Sequence, residues 1–123
     1  MLKNYILFSL IFLATDYIYL NSVSKYFNMQ IKAIQGEKIN LNLFATFLCY
    51  LFLTTGIFYF AIQKNMSIME CALLGLFVYG VYETTNKAIL KNWFYKTVVI
   101  DTLWGAVLFS LSVFIYRKIV PYI

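Results

Sequence analysis

Four apolar runs, each about twenty residues long, constrain the fold of this chain more than any other feature. They cover residues 4–24, 41–62, 68–90 and 97–119. An α-helix needs about 20 apolar residues to cross the roughly 30 Å hydrocarbon core of a bilayer. A β-barrel, the other structure that lipid tolerates, needs at least about eight short alternating segments. The pattern therefore predicts an all-α integral membrane protein, folded as a four-helix up-and-down bundle in a single transmembrane domain.

The composition supports lipid as the main solvent of these runs. Hydrophobic residues make up 63% of the chain and charged residues 12%, whereas a soluble domain is about half apolar and about a quarter charged. A globule of 123 residues exposes too much of its surface to hide such an excess. Membrane lipids are therefore the expected partner of this chain.

Several classes of site are excluded by the residues that the chain lacks. Histidine is absent, which removes Ser–His catalysis and histidine metal sites. Cys49 and Cys71 lie inside apolar runs without metal-ligand spacing. We therefore expect no metal and no cofactor. The net charge of +5 comes from basic residues between the runs, which is typical of headgroup contact, so no nucleic-acid partner is expected.

The connection of residues 25–40 is the longest in the chain. Phe27, Ile31 and Ile34 recur in it at i, i+4 and i+7, which fits a short helix lying in the membrane interface. An ordinary polar loop fits equally well. Six of the ten basic residues flank the membrane on the side of this connection and of residues 91–96. The positive-inside rule then places these connections inside and both termini outside.

Three acidic residues, Asp16, Glu83 and Asp101, lie well inside the apolar runs, whereas Glu70 sits at a helix end, where water is near. A carboxylate at the bilayer centre costs about 2.5–3.5 kcal/mol on insertion scales, and such groups usually face the bundle interior and mark functional sites. At a rise of about 1.5 Å per residue, all three fall in the half of the membrane that faces residues 25–40 and 91–96. We expect them to converge inside the bundle at similar depth.

Polar and aromatic residues share a helical face with Glu83. Tyr79, Tyr82, Glu83 and Asn86 recur at i, i+3, i+4 and i+7, which is one side of a helix. Asn86 lies one turn from Glu83 and is expected to help hold it. Lys87 follows Glu83 by four residues, in the order that favours an ion pair.

Similar faces are expected on two other helices. Asp101, Trp104 and Gly105 share one side of the fourth run, and Gly105 allows another helix to approach closely. Asp16 and Tyr19 point in similar directions on the first run. Trp93, near a helix end, is interpreted as part of an interfacial aromatic belt. The candidate binding residues are Asp16, Tyr79, Tyr82, Glu83, Asn86, Asp101 and Trp104.

Two clusters, "GLFVYGVYETTNKAILKNW" (75–93) and "IDTLWGAV" (100–107), resemble a family of small predicted four-helix membrane proteins catalogued as a domain of unknown function. Its pattern is YxxYDLTN, then ATLxxW, then DxxWG. Residues 14–20, "ATDYIYL", are similar to its first-helix DxxWL. Glu83 stands where the family usually has aspartate, and Tyr19 near where it has tryptophan. The resemblance implies the four-helix fold over essentially the whole chain, and no activity. The positions to which it points are Asp16, Tyr79, Tyr82, Glu83, Thr85, Asn86, Trp93, Asp101, Trp104 and Gly105.

Three functions fit buried acids in such a bundle. Binding or transport of a small molecule or ion is favoured, since membrane acids exchange protons for cations and aromatic rings hold cations. A structural or interaction subunit would use the acids to join helices, at about 0.6 kcal/mol per hydrogen bond. An enzyme acting on a lipid or isoprenoid would use paired carboxylates as acid and base. A transporter of this size is expected to form a homo-oligomer to enclose a path.

Overall fold

The computed structural model describes residues 1–123, and all of its regular elements are helical. The helices are α1 (Leu2–Gln35), α2 (Leu43–Ile57), α3 (Ile68–Ile89) and α4 (Tyr95–Ile119). α2 continues into a π-helical segment, Phe58–Gln63, and α4 ends in a 3-10 turn, Val120–Tyr122. The prediction of an all-α, four-helix membrane bundle is confirmed.

Three helical stretches are long and apolar enough to cross a membrane: Leu2–Gln35, Leu43–Gln63 and Tyr95–Tyr122. α3 is less apolar, because it carries the polar stripe around Glu83. Its 22 residues extend about 33 Å at about 1.5 Å per residue. α3 packs closely along α4, and this contact buries Glu83 inside the bundle.

Contacts between distant residues show how the helices alternate in direction. Lys3 Nζ donates to the Ile123 carbonyl oxygen at 2.9 Å, so both termini lie at the same end of the bundle. Arg117, near the end of α4, donates to the Met66 carbonyl oxygen at 2.6 Å and thereby holds the connection between α2 and α3 at that end. The end of α1 contacts the α3–α4 connection at the opposite end, through Gln30. Which side of the membrane each end faces stays a prediction.

The first helix is longer than its apolar run predicts. Residues 25–35 continue α1 without a break, so neither a separate interfacial helix nor a loop begins at residue 25. Gly36 ends the helix in the left-handed conformation, with φ 82°, which glycine adopts without steric cost. The 34 residues of α1 extend about 51 Å, well beyond the roughly 30 Å of hydrocarbon. Half-buried apolar side chains and Gln30 attach this extension to the rest of the bundle.

Two glycines set the distance between α3 and α4. A methyl group built on Gly75 would overlap the Gly105 backbone, and one built on Gly105 would overlap the Gly75 carbonyl oxygen. The backbones therefore touch at this crossing, as small residues permit in membrane helix pairs. Further along the pair, the Tyr79 side chain packs against Gly105.

An aromatic core fills the half of the bundle that contains the termini. Its fully buried side chains include Phe8, Phe12 and Phe109, with Phe58 and Tyr116 nearly as buried. The Phe8 and Tyr116 rings meet edge to face, with centroids 6.0 Å apart, a favourable aromatic geometry. The three acidic residues lie outside this core, toward the end of the bundle with the α3–α4 connection.

Candidate functional site

Asp16 receives hydrogen bonds from two other helices. Its side chain is 4% exposed. Trp104 Nε1 on α4 donates to Oδ1 at 2.9 Å, and the Tyr50 hydroxyl on α2 donates to Oδ2 in a short hydrogen bond. Both carboxyl oxygens therefore act as acceptors, as an ionised carboxylate does. Neither donor carries a charge, so no cationic side chain pairs with the Asp16 carboxyl group.

Asp101 is connected to Asp16 through two aromatic rings. The Tyr19 hydroxyl on α1 donates to Asp101 Oδ1 at 2.9 Å. The Tyr19 ring is stacked on Trp104, with centroids 4.4 Å apart and an angle of 5° between the planes. Because Trp104 also donates to Asp16, the stacked rings form a continuous chain of contacts between the two acids.

Glu83 is the most deeply buried of the three acids, with no exposed surface. Trp93 Nε1 donates to its Oε1 at 2.8 Å, whereas its Oε2 has no hydrogen-bond partner. The Asp101 carboxyl group lies within hydrogen-bonding reach of Glu83. Two adjacent carboxyl groups and one orphaned oxygen therefore occupy the interior between α3 and α4.

The expected ion pair between Glu83 and Lys87 does not form. Lys87 Nζ instead donates to the Trp93 carbonyl oxygen at 2.6 Å and lies 4.4 Å from the centroid of the Tyr95 ring. Asn86 does not hold Glu83 either, because the hydrogen bond to Glu83 comes from Trp93. A lysine near the end of a helix reaches polar partners at the membrane boundary at a lower cost than a buried one.

Tyr82 is the candidate residue that the structure places away from the others. Its side chain is 57% exposed. α4 covers the side of α3 that carries Gly75, Tyr79 and Glu83, spaced four residues apart. Tyr82 precedes Glu83 by one residue and is therefore rotated about 100° from it. The prediction that Tyr82 faces inward with Glu83 is wrong, whereas Tyr79 and Asn86 are half-buried.

Two residues of the site were not among the candidate binding residues, although the family resemblance pointed to Trp93. Tyr50 lies in an apolar run and its polar neighbours at helical spacing, Thr46 and Thr54, are uncharged, so the sequence does not distinguish it from a lipid-facing tyrosine. Trp93 was interpreted as part of an interfacial belt, but it is buried and donates to Glu83. Its spacing of ten residues from Glu83, across a helix end, follows no periodic pattern.

A separate polar cluster surrounds Gln30 at the start of α4. Gln30 is fully buried, and its Oε1 accepts from the Phe94 backbone N–H at 2.9 Å and from the Thr97 hydroxyl at 2.8 Å. The Tyr26 and Thr97 hydroxyls are 2.6 Å apart. Because the first backbone N–H groups of a helix lack partners within it, Gln30 caps α4 from a neighbouring helix.

Two grooves lie beside α2 and share Tyr50, the residue that donates to Asp16. One, of about 700 Å³, runs between α1 and α2, and its seven lining residues include Leu13, Ile18 and Tyr50. The other, of about 320 Å³, is lined by residues of α2 together with Tyr79 of α3. Tyr50 lines both grooves and also donates to Asp16. An apolar molecule in either groove would therefore contact the residue that covers the Asp16 carboxylate.

The chemistry of this site is electrostatic and hydrogen-bonding. No group of three or more carboxylate or cysteine side chains is arranged to hold a metal ion. The acids accept from neutral indole and phenol donors. A site of this kind attracts a positive charge or a proton more strongly than a neutral group.

The family of the chain is defined by similarity over almost its entire length. No curated protein and no solved structure shows a significant match. Residues 1–116 match the family DUF2177, which is described as a predicted membrane protein. The match includes α1, α2, α3, most of α4 and the acids Asp16, Glu83 and Asp101. The chain therefore belongs to the DUF2177 family of membrane proteins.

Proposed function

We propose that this protein binds a small organic cation within the membrane, at the Asp16 carboxylate, and that the cation enters along the grooves beside α2. The observation that carries the proposal is the position of Tyr50. Its ring lines both grooves and its hydroxyl donates to Asp16. A molecule in a groove therefore lies one side chain away from a buried negative charge.

The charges near Asp16 favour a cation. Both donors to Asp16 are neutral, and Asp101 is the next acidic group along the Tyr19–Trp104 stack. A buried carboxylate without a cationic partner gains substantially when one approaches, because the effective dielectric constant is low. Aromatic faces add about 0.5–2 kcal/mol for a cation placed over them. Tyr50, Trp104 and Tyr19 provide such faces within the same cluster.

The lining of the larger groove favours a ligand with an apolar body. All seven of its lining residues are hydrophobic, and their polar groups contribute little to its surface. Binding pockets of this kind hold most of a ligand by apolar contact and orient it with a few polar groups. The ligand class is thus a lipophilic cation, with its apolar part between α1 and α2 and its charge near Asp16.

Tetraphenylphosphonium binding to the purified protein in lipid nanodiscs tests the proposal. The wild-type protein is expected to bind it saturably and not to bind tetraphenylborate, an anion of nearly the same shape. A unit charge about 4–6 Å away, at an effective dielectric constant near 20, is worth about 3–4 kcal/mol. Asp16→Asn should therefore weaken binding by at least about tenfold.

Glu37→Gln provides the matched control, since Glu37 is exposed and lies outside the helices. It should bind tetraphenylphosphonium as the wild type does. Equal binding of the cation and the anion, or wild-type affinity in Asp16→Asn, would contradict the proposal.

A structural role is the second candidate, because the hydrogen bonds of Asp16 join three helices. On that hypothesis the acids hold α1, α2 and α4 together and no ligand enters. It predicts that the wild type binds no tetraphenylphosphonium while Asp16→Asn lowers the unfolding temperature. Saturable binding that Asp16→Asn abolishes without loss of folding would exclude a purely structural role.

A further inference from the structure

Glu83 and Asp101 form a second acidic site, which the proposed binding at Asp16 does not use. Glu83 is fully buried and Asp101 is 7% exposed. They lie on adjacent antiparallel helices whose backbones touch at Gly75 and Gly105, so the two carboxyl groups cannot easily move apart. Neither accepts a hydrogen bond from a lysine or arginine side chain.

The hydrogen bonds to this pair leave one carboxyl oxygen, Glu83 Oε2, without a donor. Trp93 Nε1, which can only donate, occupies Glu83 Oε1, and the Tyr19 hydroxyl occupies Asp101 Oδ1. Glu83 Oε2 is buried without a donor. An ionised carboxyl group can only accept, so Asp101 can satisfy Glu83 Oε2 only if a proton lies between them. A buried acceptor without a donor costs about 1–3 kcal/mol, and more when it is charged.

We infer that Glu83 and Asp101 form a single proton-binding site, in which the O–H of one carboxylic acid is hydrogen-bonded to the other carboxylate. The pair then carries one negative charge instead of two. Two like charges at such close range disfavour each other strongly, and sharing one proton is the usual solution for adjacent carboxyl groups.

The surroundings of the pair fit this assignment. The titratable groups that face it are Asp16 and Tyr19 on α1 and Tyr79 on α3, whereas Tyr82 lies on the exposed side of α3. Lys87, the nearest cation along α3, is engaged with the Trp93 carbonyl oxygen and the Tyr95 ring. Glu83 lies six residues before the end of α3, about 9 Å from it. The proton site is therefore close to one membrane boundary but covered by Trp93.

Cation binding at Asp16 would release the proton that Glu83 and Asp101 share. This part of the inference rests on the proposed function. A cation at Asp16 adds a positive charge near the pair and disturbs Trp104, whose ring is stacked on the Tyr19 that donates to Asp101. The carboxylic O–H bond then breaks, its electron pair stays on oxygen, and the proton passes to water. Both carboxylates are left ionised, and the charge of the released proton is replaced by that of the bound cation.

Infrared spectroscopy of the protein in nanodiscs at pH 7 tests the shared proton without any ligand. The wild type should show the carbonyl stretch of a protonated carboxylic acid, shifted on exchange into D2O. The band should persist in Asp16→Asn and disappear in both Glu83→Gln and Asp101→Asn, since each amide can donate to the remaining carboxylate. No such band in the wild type, or its loss in Asp16→Asn, would overturn the inference even if the other two variants failed to fold.

Proton release on cation binding tests the coupling separately. Tetraphenylphosphonium is added to the protein in weakly buffered solution with a pH indicator dye, and about one proton should appear per bound cation. Binding without proton release would overturn the coupling and leave the cation site intact. If tetraphenylphosphonium does not bind, the proposed function and the coupling both fail. The infrared band then remains the test of whether Glu83 and Asp101 share a proton.

Discussion

Tyr19 and Trp104 are stacked almost parallel, with ring centroids 4.4 Å apart, and each donates a hydrogen bond to a different buried acid. Trp104 donates to Asp16 and Tyr19 donates to Asp101. This stack joins Asp16, beside the grooves, to the enclosed Glu83–Asp101 pair. If the two acidic sites influence each other, the rings of Tyr19 and Trp104 are the most direct physical connection between them.

The Tyr19–Asp101 hydrogen bond should be measurable by a double-mutant cycle. Tyr19→Phe keeps the ring on Trp104 but removes the O–H, so it should lower the free energy of unfolding by about 1–2 kcal/mol. In an Asp101→Asn background the same change should cost less, because the hydrogen bond to a charged acceptor is already lost. Tyr17→Phe is the control, since Tyr17 is 65% exposed. Equal costs in both backgrounds would contradict a direct interaction.

The contact between Gly75 and Gly105 should tolerate no methyl group. Gly75→Ala and Gly105→Ala should each destabilise the bundle by about 1–3 kcal/mol, because the added carbon overlaps the backbone of the facing helix. Thermal unfolding in detergent, followed by near-ultraviolet circular dichroism, measures the effect. Gly56→Ala is the matched control: nothing lies within 4 Å of its added carbon, and alanine favours helix by about 1 kcal/mol. Unchanged unfolding of the first two variants would be incompatible with the close crossing.

The helices and the inward direction of the acids could be predicted because each depends on a local pattern. Apolar runs of spanning length specify helices in lipid, and the cost of burying a charge directs Asp16, Glu83 and Asp101 into the bundle. How much of the α3 surface is buried cannot be predicted from the sequence of α3 alone. It depends on how many helices surround α3, and α4 covers only the side with Gly75 and Glu83, so Tyr82 remains exposed.

The donors to the acids could not be predicted for a related reason. Tyr50 and Trp93 pair with residues on other elements, and such pairs depend on how the helices dock. In the sequence Tyr50 is indistinguishable from the tyrosines that line membrane interfaces, and the family resemblance pointed to Trp93 without giving it a partner. The length of α1 was underestimated because polar residues after position 24 end the apolar run but not the helix, which continues to Gly36.

The cap that Gln30 supplies to α4 should contribute to stability. Gln30→Leu keeps a side chain of similar size but leaves the Phe94 N–H without its acceptor and the Thr97 hydroxyl with the Tyr26 hydroxyl as its remaining partner. Because both groups are largely shielded from water, unfolding should become easier by about 1–3 kcal/mol. Asn28→Leu, at an exposed position on the same helix, controls for the added apolar surface. Similar unfolding temperatures for the two variants would argue against the cap.

Tyr50→Phe should strengthen cation binding rather than weaken it. The phenylalanine ring keeps the lining of both grooves, while the hydroxyl that occupies Asp16 Oδ2 is removed. A cation then meets a carboxylate with one donor instead of two. Since a typical net hydrogen bond is worth about 1 kcal/mol, tetraphenylphosphonium should bind on the order of fivefold more tightly. Titration in nanodiscs measures this change.

Two further variants complete the test of Tyr50 as the residue that covers Asp16. Tyr59→Phe serves as the matched control, because Tyr59 lies on the exposed side of the same helical stretch and should bind the cation as the wild type does. Combining Tyr50→Phe with Asp16→Asn should abolish the gain, since no carboxylate is left to be uncovered. If Tyr50→Phe alone weakens binding, the hydroxyl contacts the ligand directly. A gain that survives Asp16→Asn would mean that the cation binds elsewhere, and Asp16 would then be a residue that joins helices.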